Sequence, residues 1–452
     1  MNGLAVLLLG CAVLNRFGTA AVHVAHSPDR NEGSTAVTVT DSALSRVSAV
    51  RGKVSSGLSV SHRPHSTRRK LAMLALSIGG FGIGTTEFAS MGLLPDIATT
   101  MGISEPSAGH MISAYALGVV VGAPTIAALA ARVPRRMLLL VLMVAFTLGN
   151  IGTVFAPSFN ELVASRFVAG LPHGAYFGVA ALVAAHLAEP GKRAKAVAMV
   201  MMGLSVANVV GVPVATWIGQ ALGWRSAFAL VAVIGALTVA ALAVWMPRLD
   251  AMPTTSPITE LGALRRSQVW MTLFVGIVGF GGMFAVYTYI ASTLTDVAGL
   301  ARALVPVALM IYGLGMVAGN YAGGWLADRY QLKGTFVGLA ATAVFLAMFV
   351  AAAHNPVTAL LLVFLIGASG SSVVPGLQTR LMDVAEDAQT LAASLNHAAF
   401  NLANAIGAAV GGAVIAAGFG YTAPAAVGSG LAVAGLGVLA TAMWMDKRAA
   451  AK

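Results

Sequence analysis

The sequence predicts an all-α polytopic membrane protein with twelve transmembrane helices in two pseudo-symmetric six-helix bundles. Three observations lead to this prediction: a composition suited to lipid, a series of long apolar runs, and an internal repeat. Of the 452 residues, 58% are hydrophobic and only 10% are charged, whereas soluble domains carry about 25% charged residues. A soluble fold could not cover its surface with so few polar groups.

Long apolar runs recur from residue 71 to the end of the chain. A helix that crosses about 30 Å of hydrocarbon needs about 20 apolar residues. The runs therefore predict spans at 71–94, 108–131, 137–156, 160–187, 196–220, 226–246, 269–293, 304–327, 335–353, 356–377, 389–416 and 422–445.

Basic residues alternate from one connection to the next. One set of connections holds Arg68, Arg69, Lys70, Arg132, Arg135, Arg136, Lys192, Arg193, Lys195, Arg248, Arg265, Arg266, Arg329, Lys333, Arg380, Lys447, Arg448 and Lys452. The opposite set holds only Arg225 and Arg302. Because Lys and Arg are enriched in cytoplasmic loops, we predict a multi-pass protein of the cell membrane with both ends of its helical core in the cytoplasm. The basic residues behind the net charge of +11 are therefore explained by the membrane topology, and they do not indicate nucleic-acid binding.

The first 70 residues differ from the rest of the chain. Residues 4–14 form a short apolar run, and residues 26–70 are polar and rich in Ser and Arg. We interpret residues 1–70 as a disordered N-terminal extension, with a signal peptide as the alternative. The single cysteine, Cys11, excludes an internal disulfide framework and a cysteine metal cluster.

An internal repeat relates the two halves at an offset of 196 or 197 residues. The matching pairs are Tyr115/Tyr312, Gly118/Gly315, Gly122/Gly319 and Arg132/Arg329 at offset 197, with Asn208/Asn404 and Gly211/Gly407 at offset 196. Parallel repeats of this kind are an architecture of secondary transporters. We predict a first bundle over 71–246, a cytoplasmic linker over 247–268, and a second bundle with a short tail over 269–452.

A loop motif links the chain to a known family. The segment GWLADR at 324–329 resembles the loop motif G-x-x-x-D-R-x-G-R-K of the major facilitator superfamily. The first-half copy keeps Arg132, Arg135 and Arg136, but Ala127 and Ala131 stand at the Gly and Asp positions. The resemblance implies a gating role for Arg132, Arg135, Arg136, Gly324, Asp328 and Arg329.

Further motifs resemble the drug:proton antiporter branch of that family, which includes arabinose-efflux permeases and chloramphenicol-resistance exporters. The fourth span matches R-x-x-x-G-x-x-x-G at Arg166, Gly170 and Gly174, and the fifth resembles the antiporter motif at Gly203, Gly211 and Pro213. The resemblance implies that these Gly and Pro residues pack helices. It also implies proton-coupled efflux of small amphipathic molecules, drug or sugar-like, by alternating access. The alternative is import of a sugar or other small metabolite by proton symport.

Two charges lie well inside the predicted spans, Glu87 and Arg166. Glu87 lies about 13 Å and Arg166 about 12 Å from the outer membrane surface at 1.5 Å per residue. A charge in hydrocarbon faces a cavity or a partner. Burial favours the neutral acid, whereas a nearby guanidinium favours the carboxylate. We hypothesise that Glu87 carries the proton and that Arg166 controls it, and a static ion pair is the alternative.

Other polar residues are candidates by analogy with the family alone. His173, Tyr176, Tyr287, Tyr289 and Gln378 are candidate groups of a substrate cavity, with a satisfied structural histidine as the alternative for His173. His397, Asn401 and Asn404 share one face of a helix, which we interpret first as interhelical hydrogen bonding.

The motifs of several other protein classes are absent from the sequence. It contains no G-x-x-x-x-G-K-[ST] phosphate loop, no H-E-x-x-H and no G-x-S-x-G motif. We therefore expect a transporter that is not an enzyme and uses no cofactor or metal. Its expected partners are a small-molecule substrate, protons and the lipid bilayer, and we expect a monomer.

Overall fold

The computed structural model describes residues 66–130, 132–189, 192–249, 262–385 and 388–450. Within these residues, twelve helices are long and apolar enough to cross a membrane, which confirms the predicted number. They are α1 (Ser66–Gly92), α2 (His110–Leu129), α3 (Arg135–Phe155), α4 (Phe159–Leu187), α5 (193–222), α6 (Trp224–Trp245), α7 (Ser267–Thr288), α8 (Val305–Tyr330), α9 (Leu332–Ala352), α10 (Pro356–Ala385), α11 (Gln389–Ala416) and α12 (Ala423–Ala450).

Prolines explain where the helices depart from the predicted runs. The first span ends at Gly92, and a short helix Leu94–Met101 follows it with Pro95 in its first turn. Proline has no N–H and its ring clashes with the carbonyl four residues earlier, so a continuous helix through Pro95 is disfavoured. Inside α5, Ala207–Gly211 forms a π-helical turn just before Pro213. The wider turn accommodates the proline without ending the helix.

The repeat is visible in the packing of the two halves. A Cβ on Gly118 would overlap the carbonyl of Phe167, and a Cβ on Gly315 would overlap the carbonyl of Phe364. All four residues are related by the offset of 197. The same relation holds between the contacts Gly122–Leu171 and Gly319–Ala368, and between Gly170–Tyr115 and Gly367–Tyr312. Small residues let backbones approach closely, so the contact of α2 with α4 is repeated by that of α8 with α10.

The two halves share one apolar core toward the predicted outer side. It joins first-half residues, including Phe88, Leu94 and Met111, to second-half residues, including Phe284 and Leu309. Toward the predicted cytoplasmic side the cores are separate. One contains Leu76, Leu142 and Val183 of the first half, and another contains Val269, Leu381 and Leu391 of the second half, with Ala127 of α2 packed against it. The described residues are thus joined more extensively on the outer side.

The predicted domain boundaries stay predictions, because only part of them lies in the described chain. Residues 1–65 of the N-terminal extension and residues 250–261 of the linker are outside the described residues.

We predict that Gly122→Ala destabilises the protein by about 1–3 kcal/mol, because the added methyl group meets the backbone of Leu171. The measurement is the thermal unfolding midpoint of the purified protein in detergent. Gly437→Ala is the matched control, since a Cβ there has no neighbour within 4 Å, and it should leave the midpoint unchanged or slightly higher. Equal shifts for the two variants would contradict the close packing of α2 on α4.

Candidate functional site

Glu87 lies in the outer part of α1, where the two halves of the molecule meet. Its side chain is buried, with only 5% of its surface exposed. Two first-half groups, Arg166 and Tyr115, and two second-half groups, Tyr287 and Asn404, lie within electrostatic or polar range of the carboxylate. Glu87 therefore faces a junction between the halves and is not directed at lipid.

Arg166 of α4 is completely buried and is held mainly by neutral groups. Its Nη1 donates to the Thr86 hydroxyl at 2.9 Å, and its Nη2 donates to the Thr86 carbonyl at 3.2 Å. The guanidinium also lies over the rings of Tyr115, at 4.3 Å, and Phe228, at 5.1 Å. Its Nε has no hydrogen-bond partner among the described residues, which is uncommon for a buried donor.

The Thr86 hydroxyl extends this network by donating to Asn150 Oδ1 at 2.6 Å. Asn150 in turn donates to the carbonyl of Phe146 in its own helix, α3. Sequence reasoning missed both Thr86 and Asn150. A usable signal was the lone Asn150 in an otherwise apolar span, because such residues commonly hydrogen-bond between membrane helices.

The carboxylate of Glu87 and the guanidinium of Arg166 are neighbours, but no ion pair joins them in the described part of the chain. The two groups influence each other electrostatically, while the guanidinium donates hydrogen bonds to Thr86. A static ion pair therefore does not describe this conformation. An acid without a direct counterion can change its protonation state when its surroundings change.

His173 connects this site to the second half through an aromatic cluster. Its Nδ1 is 3.1 Å from the Tyr115 hydroxyl, and its ring centroid is 5.7 Å from that of His397 on α11. The His397 ring stacks on Phe177 of α4, with centroids 4.7 Å apart and planes at 6°. The contact between α4 and α11 at this depth is thus made by rings.

The other two residues of the polar face of α11, Asn401 and Asn404, make no ring contact of the kind that His397 makes. Asn401 donates to the carbonyl of His397 in its own helix at 3.1 Å. Asn404 lies beside Glu87, but its amide atoms meet no partner at hydrogen-bond geometry within the described chain. The polar face of α11 is therefore directed at the first half, and among the described residues the amide atoms of Asn404 are left unpaired there.

Two tyrosines predicted for a substrate cavity are engaged in helix contacts. The Tyr176 hydroxyl donates to the carbonyl of Leu76 at 2.9 Å, which joins α4 to α1. The Tyr289 hydroxyl donates to the carbonyl of Ala408 at 2.9 Å, which joins the end of α7 to α11. Each hydroxyl therefore already donates its proton to a backbone carbonyl in this conformation.

The remaining two cavity candidates lie at different depths. The Tyr287 ring is 4.1 Å from that of Tyr312, and the buried Tyr312 hydroxyl has no hydrogen-bond partner in the part of the chain that the structure describes. Tyr287 thus belongs to the group around Glu87. Gln378 of α10 accepts a hydrogen bond from Asn396 of α11, nearer the predicted cytoplasmic side. The structure does not bring Gln378 together with Glu87.

The residues of the loop motif show few mutual contacts. Asp328, Arg329 and Arg132 are exposed, and no ion pair involves them within the described residues. No atom of the described residues lies within 4 Å of a Cβ placed on Gly324. Arg135 is buried. Arg136 Nη2 donates to the carbonyl of Ala243 at 2.6 Å, which ties α3 to α6.

The predicted packing glycines of α4 and α5 lie close against neighbouring helices. Gly174 faces Ala123 of α2, while Gly203 and Gly211 face Ser77 and Thr85 of α1. In addition, Gly313 of α8 packs against the carbonyl of Asn208 in the π-helical turn before Pro213.

A set of polar contacts, here called the outer latch, was missed by sequence reasoning. Asp96 forms an ion pair with Arg302 across the two halves, and Gln220 donates to the Arg302 carbonyl at 3.3 Å. Ser292 donates to Glu105 at 2.5 Å. The signal was Arg302 itself, one of only two basic residues on the predicted outer side.

Comparison with known proteins identifies the family. The model of the Major Facilitator Superfamily matches residues 76–389 and 293–452. The chain belongs to the Major Facilitator Superfamily. A crystal structure of a bacterial homolog of the human lysosomal transporter Spinster, in an inward-facing and unoccupied conformation, matches this chain with a TM-score of 0.63 and 17% sequence identity. The match covers 83% of this chain and 96% of that one, which shows the shared fold.

Several relatives within the superfamily are similar over most of their length. The inner membrane transport protein YdhP of Escherichia coli K12 is 44% identical over 377 residues, covering 83% of this chain and 96% of that protein. The putative transporter AraJ of the same strain is 35% identical, with coverages of 78% and 90%. A chloramphenicol resistance protein of Streptomyces lividans is 36% identical, again with coverages of 78% and 90%. This chain is therefore a multi-pass membrane transporter.

We predict that Thr86→Val destabilises the protein by about 1–3 kcal/mol, because the buried guanidinium of Arg166 loses an acceptor. The measurement is the unfolding midpoint in detergent. Thr85→Val is the matched control, since within the described residues the Thr85 hydroxyl bonds only to the Phe81 carbonyl of its own helix. Thr86→Ser should restore the midpoint. A Thr86→Val protein as stable as Thr85→Val would show that Thr86 does not hold the guanidinium.

Proposed function

We propose that this transporter exports small amphipathic molecules in exchange for protons by alternating access. One observation carries the proposal: a buried acid, Glu87, lies where the two halves meet, close to a buried guanidinium with which it forms no ion pair. Ionisable residues at membrane depth mark ion and proton pathways. Glu87 is the proton carrier, and Arg166 sets the electrostatic environment in which the proton is bound or released.

The proposed cycle follows from the position of Glu87 between the halves. In the present conformation Tyr287 and Asn404 of the second half approach the carboxylate. When the halves rock apart on the outer side, these groups withdraw and water reaches Glu87, which takes up a proton from outside. When the cavity opens to the cytoplasm, substrate binding near Glu87 expels that proton inward. Each cycle then moves substrate out and a proton in.

The surroundings of Glu87 suit an amphipathic substrate. Phe88 contacts both Phe284 and Tyr287, with ring centroids at 6.3 and 5.6 Å, and the Tyr287 ring packs at a tilt of 33° against the Tyr312 ring. Apolar walls with a few polar groups are typical of small-molecule sites. The similarity to a chloramphenicol resistance protein and to AraJ supports drug or sugar-like substrates. His173 and Gln378 are proposed to contact substrate when the cytoplasmic side is open.

The outer latch is proposed to close the predicted outer side between export events. Its contacts all join first-half residues to second-half residues, and residues that flank them belong to the shared apolar core. The loop-motif residues Arg132, Arg135, Arg136, Asp328 and Arg329 are proposed to gate the opposite, cytoplasmic side. The protein acts as a monomer in the cell membrane, with both ends of the helical core in the cytoplasm, and it is not an enzyme.

We predict that Glu87→Gln abolishes gradient-driven export, because the amide cannot carry a proton. The measurement is accumulation of amphenicols and other amphipathic compounds in cells lacking their own exporters, with and without a protonophore. Accumulation in cells with the variant should equal that with the protonophore. Glu161→Gln is the matched control, because Glu161 is an exposed capping residue at the start of α4 and glutamine can replace it in a capping box.

Two results would contradict this proposal. Undiminished, protonophore-sensitive export by Glu87→Gln would remove Glu87 from the coupling. Protonophore-sensitive uptake, with accumulation above that of empty cells, would favour the alternative of import by proton symport.

We predict that Asp96→Asn opens the outer side more often, because the ion pair with Arg302 is lost. The probe is Ser113→Cys, at a residue that bonds to the Ala405 carbonyl across the halves, in a Cys11→Ser background. Labelling by an impermeant maleimide added outside should accelerate about two- to fivefold, as expected for a partly exposed ion pair. The control Asp296→Asn removes an exposed acid that forms no ion pair within the described residues and should leave the rate unchanged. Equal rates for both variants would refute the latch.

A further inference from the structure

Two grooves related by the internal repeat lie at the predicted cytoplasmic ends of the helices. The first lies where α3 and α6 pack side by side and has a volume of about 380 Å³. It is lined by Pro134, Arg136, Met137, Leu140, Arg248 and Leu249. Its rim carries two guanidinium groups, and no acidic residue lines it within the described chain.

The second groove lies where α9 and α12 pack together and has a volume of about 410 Å³. It is lined by Lys333, Phe336, Val337, Ala440, Met443 and Trp444. Lys333 and Val337 are the offset-197 counterparts of Arg136 and Leu140. Arg448 adds a second cation, because its guanidinium lies 3.8 Å from the centroid of the Trp444 ring. Each half thus combines a cationic rim with an apolar wall at the same place in the fold.

The apolar walls are open to the surroundings of the bundle. Met137, Val337 and Trp444 are each more than half exposed, which places them against hydrocarbon in a membrane. An acyl chain fits such a wall, and a phosphate fits the cations at its end. Basic pockets between membrane helices on the cytoplasmic side bind anionic lipid headgroups.

We propose that the two grooves are specific sites for anionic phospholipids of the leaflet that the predicted topology places in the cytoplasm. Each site holds one acyl chain along the apolar wall and the headgroup phosphate at the cationic rim. The leaflet assignment rests on the proposed topology, whereas lipid binding itself does not depend on the transport mechanism or its direction.

The charges around the second groove make it the weaker of the two sites. A neighbouring cavity shares Lys333 and contains Asp328, Asp383 and Asp446. Asp446 is already paired with Arg380 at 2.6 Å, but the other two carboxylates reduce the positive potential at Lys333. No acidic residue of the described chain lines the first groove beside its two arginines, so its lipid should bind more tightly.

Native mass spectrometry of the purified full chain tests the proposal, with phosphatidylglycerol titrated into the detergent. The wild type should retain two lipids, one more tightly than the other. Arg248→Ala should weaken the tighter event and Lys333→Ala the weaker one, each about fivefold for the loss of one cation. Both side chains lack a hydrogen bond to the rest of the described chain, so the fold should survive.

Matched controls separate groove binding from general surface charge. Arg193→Ala and Arg265→Ala remove exposed basic residues of the same predicted cytoplasmic face that line neither groove, and they should leave both affinities unchanged. Losses equal to those of the groove variants would overturn the proposal. So would equal retention of phosphatidylcholine with the same acyl chains. Displacement of the bound lipid by millimolar glycerol phosphate would reveal a phosphate site without a lipid requirement and would also overturn it.

Discussion

The need to satisfy a guanidinium buried among apolar helices organises the first half of the molecule. Moving an ion out of water is costly, and the cost persists unless hydrogen bonds and nearby charge offset it. Arg166 receives two acceptors from Thr86 and lies between two aromatic rings. These partners come from α1, α2 and α6, so satisfying one side chain of α4 fixes how four helices are rotated relative to one another. Glu87 owes its position to this arrangement, because it follows Thr86 in the chain.

The helix contacts within each half differ in kind from the contacts between the halves. Within each half, glycines bring helix backbones together, and a contact of this kind is lost by any sliding motion. Between the halves, ring stacking, the outer latch and the contact of Gly313 with the π-helical turn of α5 supplement the shared apolar core. Rocking of two rigid bodies is the motion that this distribution permits.

The apolar clusters indicate which side of the molecule is more firmly closed in this conformation. The halves share a continuous core near the predicted outer side and hold separate cores near the predicted cytoplasmic side. Opening the outer side therefore requires exposing the shared core, whereas separating the inner ends leaves the two cytoplasmic-side cores intact apart from the contact of Ala127. Glu87 lies below the latch and beside the shared core, where either movement would change its surroundings.

The sequence by itself determined the number of spans, their approximate limits, the repeat and the family. Hydropathy and length are sufficient for these features, because a backbone in hydrocarbon must satisfy its own hydrogen bonds within a helix. The sequence also selected Glu87 and Arg166, since charges in apolar runs are conspicuous. Only the tertiary structure decided that Thr86 holds Arg166, that Tyr176 and Tyr289 bond to neighbouring backbones, and that Asp96 meets Arg302. Hydropathy records how deep a residue lies but not the direction in which its side chain points, and that direction depends on the rotation of each helix against its neighbours.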